Sequence, residues 1–158
     1  MTKNRIEILN QLLSQIEKNI PNKGLKDDTV SKSTIGWQLD HALKVFNAVS
    51  EWTKNSNPND YKFKFSIWRS VLFPIGYFPR GKVKAPKYVL PPEIIETEDL
   101  KSQLQSARAH IKKLETLPEK SYFKHFIFGM LTKKQTLRFL EMHTNHHLKI
   151  IHDILNKK

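Results

Sequence analysis

The sequence predicts an all-α protein, a four-helix bundle with one long crossover between its second and third helices. Two observations predict it. Four segments carry apolar residues at spacings of three and four, the period of a single helix face. The stretch between the second and third of these segments is crowded with proline and glycine. Four one-sided helices bury their stripes most simply against one another. The 158 residues are expected to form one domain, 1–158, long enough to build a real core.

The first helix is expected over residues 3–18, where Ile6, Leu9, Leu13 and Ile16 line one face. Pro21 and Gly24 end it. The polar run 24–33 reads as a loop, and Ser33 or Thr34 caps the next helix. That second helix spans about 35–54. Trp37, His41, Val45, Ala48 and Trp52 share one face, with Leu39, Leu43 and Phe46 opposite, so it is expected to be buried from both sides. Its second apolar face would also permit a homodimer. His41, between Trp37 and Val45, reads by itself as a core histidine, and Asp40 points about 100° away from it, toward solvent or as support for a neighbouring ligand.

Residues 55–92 form the crossover. A turn is expected at Asn57–Asp60, a short helix over 66–73, and irregular chain from Pro74 onward. Trp68, Phe73, Tyr77, Phe78 and Tyr88 are expected to pack over one end of the bundle. A loop of this length is usually functional, so it is expected to form a lid or a pocket wall, with Arg80 or Lys82 drawing in an anionic group. The third helix is expected over 97–117, opened by Thr97 or Asp99, with Leu100, Leu104, Ala107, Ile111 and Leu114 as its stripe. His110 lies beside that stripe and is expected to be structural or exposed. The segment KHFIFGMLT, 124–132, leads into the last helix, with Thr132 and Gln135 spaced as a capping box.

The last helix, 137–155, carries the chemistry. On a wheel of about 100° per residue, Leu140, His143, His147, Ile151 and Ile154 fall in one narrow sector. Arg138, Glu141, Asn145, Lys149 and His152 lie opposite. Two histidines thus occupy the middle of a buried stripe, and burying an unpaired imidazole costs free energy. Their Cβ atoms lie roughly 6 Å apart on one face, close enough for both rings to reach one ion at about 2 Å. A hydrogen-bonded core pair is the competing reading. A metal needs a third ligand, which metal sites in bundles draw from a facing helix; His41 is the candidate, and His146 the rival.

Composition narrows the function classes. The chain has no cysteine, which removes disulfides, thiolate nucleophiles and thiolate ligands together. No apolar run approaches the roughly 18 residues of a membrane span, and the N-terminus lacks the pattern of a signal peptide. A cytoplasmic, bacterial-type protein with no membrane association is expected. The formal charge is +12, but Lys and Arg are spread along the chain and no nucleic-acid-binding motif accompanies them. Solubility or a small anionic ligand explains the charge better than nucleic acid does. The densest basic part is Arg80, Lys82, Lys84 and Lys87.

Several motifs together resemble the DinB/YfiT-like superfamily of metalloenzymes. They are STIGWQLDH ending at His41, HTNHH with His143 and His147, Phe78-Pro79-Arg80-Gly81, the proline-rich segment 85–92, and KHFIFGMLT. Within that superfamily the chain is similar to a subgroup described as a domain of unknown function. The resemblance implies an up-down-down-up bundle with a three-histidine metal site of His41, His143 and His147 at one end. It also implies activities such as thiol-dependent transfer, with a low-molecular-weight thiol as cosubstrate. His125 stands where the subgroup has a histidine followed by proline, but Phe126 follows here. His125, His146 and Arg80 are therefore retained as additional pocket residues. Three neutral imidazoles suit Zn first, then Ni or Fe(II), and three protein ligands leave open positions, as in catalytic sites. The expected function is a metal-dependent transferase or hydrolase acting on a small molecule. The alternative is a non-catalytic module for small anions, with a vestigial histidine cluster.

Overall fold

Local sequence sets the long helices of the chain, and their stripes set how they pack. The computed structural model describes residues 2–80 and 85–156. Helix α1 spans Thr2–Asn19 and runs into a 3-10 turn at Ile20–Asn22. Helix α2 spans Ile35–Lys54, and Thr34 caps it by accepting a hydrogen bond from the Trp37 backbone N–H at 3.1 Å. A short helix, α3, spans Ile67–Ile75, and α4 spans Thr97–Thr116. Strands β1, Tyr122–His125, and β2, Gly129–Thr132, precede the last helix, α5, Lys133–Asn156.

The long helices α1 and α2 each pack against both α4 and α5. Consecutive pairs, α1 with α2 and α4 with α5, therefore lie across the core from one another. The core between them is aliphatic, with Leu9, Leu13, Ile16, Leu39, Leu43, Leu100, Ile111, Leu114 and Leu137 at most 2 % exposed. Leu39, Leu43 and Phe46 are spent inside this core. Helix α2 is thus covered on the face of these three side chains, as expected of a helix buried from both sides. Among the described residues no helix is long and apolar enough to cross a membrane.

Two elements stand beside the four long helices: one corrects the all-α four-helix bundle, and the other is the short helix expected over 66–73. The first is an antiparallel hairpin of β1 and β2, in which Tyr122 pairs with Thr132, Phe123 with Leu131, Lys124 with Met130 and His125 with Gly129. Phe123 and Leu131 are buried, while Lys124 is exposed and Met130 half-buried, the two-residue alternation of a half-buried sheet. Gly129, at φ 73°, closes the three-residue turn in a conformation that favours glycine. The second element is α3, inside the segment read as crossover. It runs through Pro74 because it ends within that turn. The Gly76 N–H reaches the Leu72 carbonyl at 2.8 Å without needing a Pro74 donor, and Gly76 itself turns left-handed at φ 70°.

Three smaller expectations also change. Thr97 is the first residue of α4 rather than its cap; Glu96 holds the cap position with no side-chain bond, and Glu98 and Asp99 face the positive end of the helix dipole. Helix α5 starts four residues earlier than its apolar stripe, because the reciprocal Thr132–Gln135 capping box works at the end of β2. Of the five aromatic side chains expected to close one end, Phe73 and Phe78 pack on the core, whereas Trp68, Tyr77 and Tyr88 are exposed. Lys82, Lys84 and the glycine of the Phe78-to-Gly81 motif lie outside the described residues.

Candidate metal centre

Helix α2 delivers His41 and helix α5 delivers His143 and His147 to one interface. The four-residue spacing on α5 brings its two rings, tilted to one another, to 4.7 Å between centroids, and His41 lies 5.3 Å from His143 and 4.9 Å from His147. One ring nitrogen from each residue lies within 4.8 Å of the other two, an arrangement that can hold a metal ion. His146 is not part of this group, since its ring meets His147 edge-on from the neighbouring position on the helix.

The rings are held from behind. His41 Nδ1 lies 2.8 Å from the carbonyl of Val89. A carbonyl only accepts, so Nδ1 carries the proton of the neutral ring and Nε2 carries the lone pair. His147 Nδ1 lies 2.6 Å from Gln38 Oε1. The Gln38 amide nitrogen donates to Ser31 Oγ at 3.3 Å, which turns the amide oxygen toward His147. His147 is thereby set in the same tautomer. Trp37 stacks on His41 at 5.0 Å and Phe139 on His143 at 5.7 Å, which fixes the ring planes.

Burial keeps these imidazoles neutral. Desolvation is the main cause in each case, and it pushes His143 and His147 well below the ordinary histidine range. His143 is lowered further by His41, His146 and His125, and His147 by His143, His41 and His146. His41 is lowered by burial as well, opposed by its bond to Val89 and by the Asp40 carboxylate. His143 keeps intermediate exposure, whereas His41 and His147 are buried. The result is three neutral imidazoles gathered in a partly desolvated place, the protonation state a cation requires of its ligands.

The other sequence candidates fall around this cluster. His125 sits at the end of β1, where its Nδ1 accepts the backbone N–H groups of Ile127 at 3.1 Å and Phe128 at 3.3 Å. Its proton is therefore on Nε2. Its ring packs on Phe126, Phe128 and Phe139, the last of which also stacks on His143. Burial brings its pKa down to about 4. His146 lies near Phe78 and Arg80, and burial, then the Arg80 charge, lowers it. Arg80 is exposed and paired with Asp153 at 2.7 Å, so its charge is already answered on the protein surface.

Asp40 does not face solvent, as the sequence allowed, and does not touch the histidines. It is buried, accepting from the Gln103 amide at 2.7 Å and paired with Lys44 at 2.7 Å. Val89 was missed by sequence reasoning altogether. It ends a 3-10 turn, Lys87–Val89, in the proline-rich segment, and no property of a valine marks its carbonyl as a histidine partner. Gln38 had a signal, since it lies one turn before His41 on α2, but its partner is on α5.

The family model described as a protein of unknown function (DUF1569) matches residues 75–153. No curated protein and no solved structure matches the chain. The matched stretch carries Arg80, His125, His143, His146 and His147, and His41 lies outside it.

Proposed function

The chain belongs to the DUF1569 family of proteins of unknown function, and from that premise we propose that it is a metal-dependent enzyme with His41, His143 and His147 as the protein ligands of one divalent cation. One observation carries the reading: three ring nitrogens within 4.8 Å of one another, on two rings of which the other nitrogen is already committed to an oxygen acceptor. Metal-binding histidines are oriented in this way, by a carbonyl or amide oxygen on the far nitrogen. A plain core cluster would need the same bonds for its buried N–H groups; what favours a metal is that a third histidine ring nitrogen is gathered with these two.

The donor set fits. Three neutral imidazoles without thiolate suit Zn first, and Ni or Fe(II) next. Such a cation supplies Lewis acidity for transfer or hydrolysis on a small molecule, with a low-molecular-weight thiol as one candidate cosubstrate. The chain's own residues do the rest. Val89 and Gln38 hold two imidazoles in the required tautomer, and Trp37 and Phe139 cover ring faces and limit water. His125 and His146 are proposed as pocket walls, His125 presenting a fixed Nε2–H. The superfamily kinship with DinB/YfiT-like metalloenzymes is part of the same proposal, supported by the placement of His41 on one helix and H-x-x-x-H on another. So is the expectation of a single domain, supported by a core to which every long helix contributes. The reading as an anion-binding module has less support, because Arg80 is already paired with Asp153.

Metal analysis of untagged protein purified without chelator tests this. Near-stoichiometric divalent metal is expected in the parent, and its loss in His41→Ala, His143→Ala and His147→Ala while the far-ultraviolet circular dichroism is kept. Full metal content in all three variants would end the proposal.

A further inference from the structure

Helix α3 is apolar on two opposite sides, and the fold uses one of them. At about 100° per residue, Arg69, Leu72 and Phe73 fall on one side, and Ile67, Trp68, Val71 and Ile75 on the other. The first side is docked. The Arg69 guanidinium is buried and donates to the carbonyls of Lys64 at 2.7 Å and Phe128 at 3.0 Å, and Phe73 meets Phe128 edge-on at 5.3 Å. The second side faces outward, with Ile67 64 %, Trp68 60 % and Ile75 66 % exposed. Phe63 and Phe65, in the extended chain just before the helix, are exposed by 72 % and 66 %. An exposed patch of large apolar side chains of this kind marks an interaction site.

The charge around the patch selects its partner. Lys62 and Lys64 are exposed and alternate with Phe63 and Phe65. Neither lysine has an acidic partner among the described residues, whereas Lys54 is paired with Glu51 and Arg80 with Asp153. Two copies of a +12 chain meeting here would bring these lysines face to face. Nucleic acid would accept the charge and could stack on Phe63, Phe65 and Trp68, but stacking does not use Ile67, Val71 and Ile75, which form the outward line of α3. Branched aliphatic side chains with Trp and Phe beside them, bordered by lysine, suit the boundary between acyl chains and headgroups. The geometry points to α3 and its approach, residues 62–75, as a docking surface for an anionic lipid bilayer, entered from one side without crossing it. Arg69 and the hairpin hold the helix rigidly to the body, so its short length is offset by pre-organisation.

Co-sedimentation with vesicles tests this, using phosphatidylcholine alone and with about 30 mol % phosphatidylglycerol. The parent protein is expected to bind the anionic vesicles at least about tenfold more tightly than the neutral ones. Binding is expected to fall about tenfold or more in Ile67→Asp/Ile75→Asp and in Lys62→Glu/Lys64→Glu, with unchanged thermal unfolding. Brominated lipid is expected to quench the tryptophan fluorescence of the parent, and to quench Trp68→Phe much less; this readout needs no disruptive substitution. Absence of binding to anionic vesicles overturns the inference. So does binding that survives Ile67→Asp/Ile75→Asp, which would be charge attraction alone. A dimer that the same variant splits, in protein that ignores vesicles, would assign the patch to a second copy and overturn it equally. Tight binding of single-stranded RNA without vesicle binding would do the same.

Discussion

Gln38 and His125 show what single residues contribute around the histidine cluster. Gln38 accepts from His147 at 2.6 Å and has no other link to α5 among its hydrogen bonds. Gln38→Leu is expected to leave the fold intact and to weaken metal binding about 10- to 100-fold. Gln38→Glu, which keeps an acceptor and adds charge, is expected to hold the metal at least as tightly; competition with a chromophoric chelator reads both. His125 tests the pH dependence of the fold. Burial lowers its folded pKa to about 4 from an ordinary 6.5, so the unfolded chain takes up the proton first. The stability due to the neutral ring is complete above pH 6.5 and is lost as the pH falls from 6.5 to about 4. The loss from this one group is at most about 3 kcal/mol. In His125→Asn the side-chain oxygen can still accept the backbone N–H groups two and three residues on, but nothing titrates. Its unfolding midpoint, followed by circular dichroism from pH 7.5 downward, is expected to fall less steeply than that of the parent.

Among the elements, the hairpin and α3 form a unit tied by Arg69. Its guanidinium serves the carbonyls of Lys64, Phe128 and Met130. Arg69→Met keeps the stem but leaves those carbonyls without their charged donor. A loss of about 3 kcal/mol is expected in urea unfolding, with new proteolytic cleavage near residues 66–76 of the native protein. The long helices were legible because each repeats its apolar residues over four turns or more. The hairpin was not. Its strands are four residues each, too short for alternation to stand out, and Phe126, Ile127 and Phe128 in the turn read as part of an apolar lead-in to α5. Its stability comes from Phe123 and Leu131 meeting across the sheet and packing on the core, a relation that no window of sequence contains. The capping box at Thr132 and Gln135 was legible, since both partners lie within one helical turn.

At the scale of the molecule, binding at the cluster should register as stability. A cation that binds the folded chain at about 100 times its dissociation constant adds about 2.7 kcal/mol. For a protein of this length that raises Tm by roughly 5–10 °C. Addition of Zn to metal-free protein is expected to produce this rise in scanning calorimetry, as one cooperative transition, and none in His143→Ala. A split transition would show that α1 and α2 do not share one unit with α4 and α5, despite their common core.

The sequence by itself determined the long helices, the cap of α2, and which histidines share a face of α5, because these depend on neighbours within about four residues. The helical surroundings of His41 alone read it as a core histidine, and only the expected bundle, with its facing helices, offered it as a third ligand. Only the tertiary structure decided what stands behind the rings. The bond from His41 to Val89 spans 48 positions and that from His147 to Gln38 spans 109. It likewise decided that Asp40 turns to Gln103 and Lys44, that Arg80 is spent on Asp153, and that one side of α3 stays uncovered. Each of these depends on which segments the core brings together, and periodicity along one helix carries no record of its neighbours.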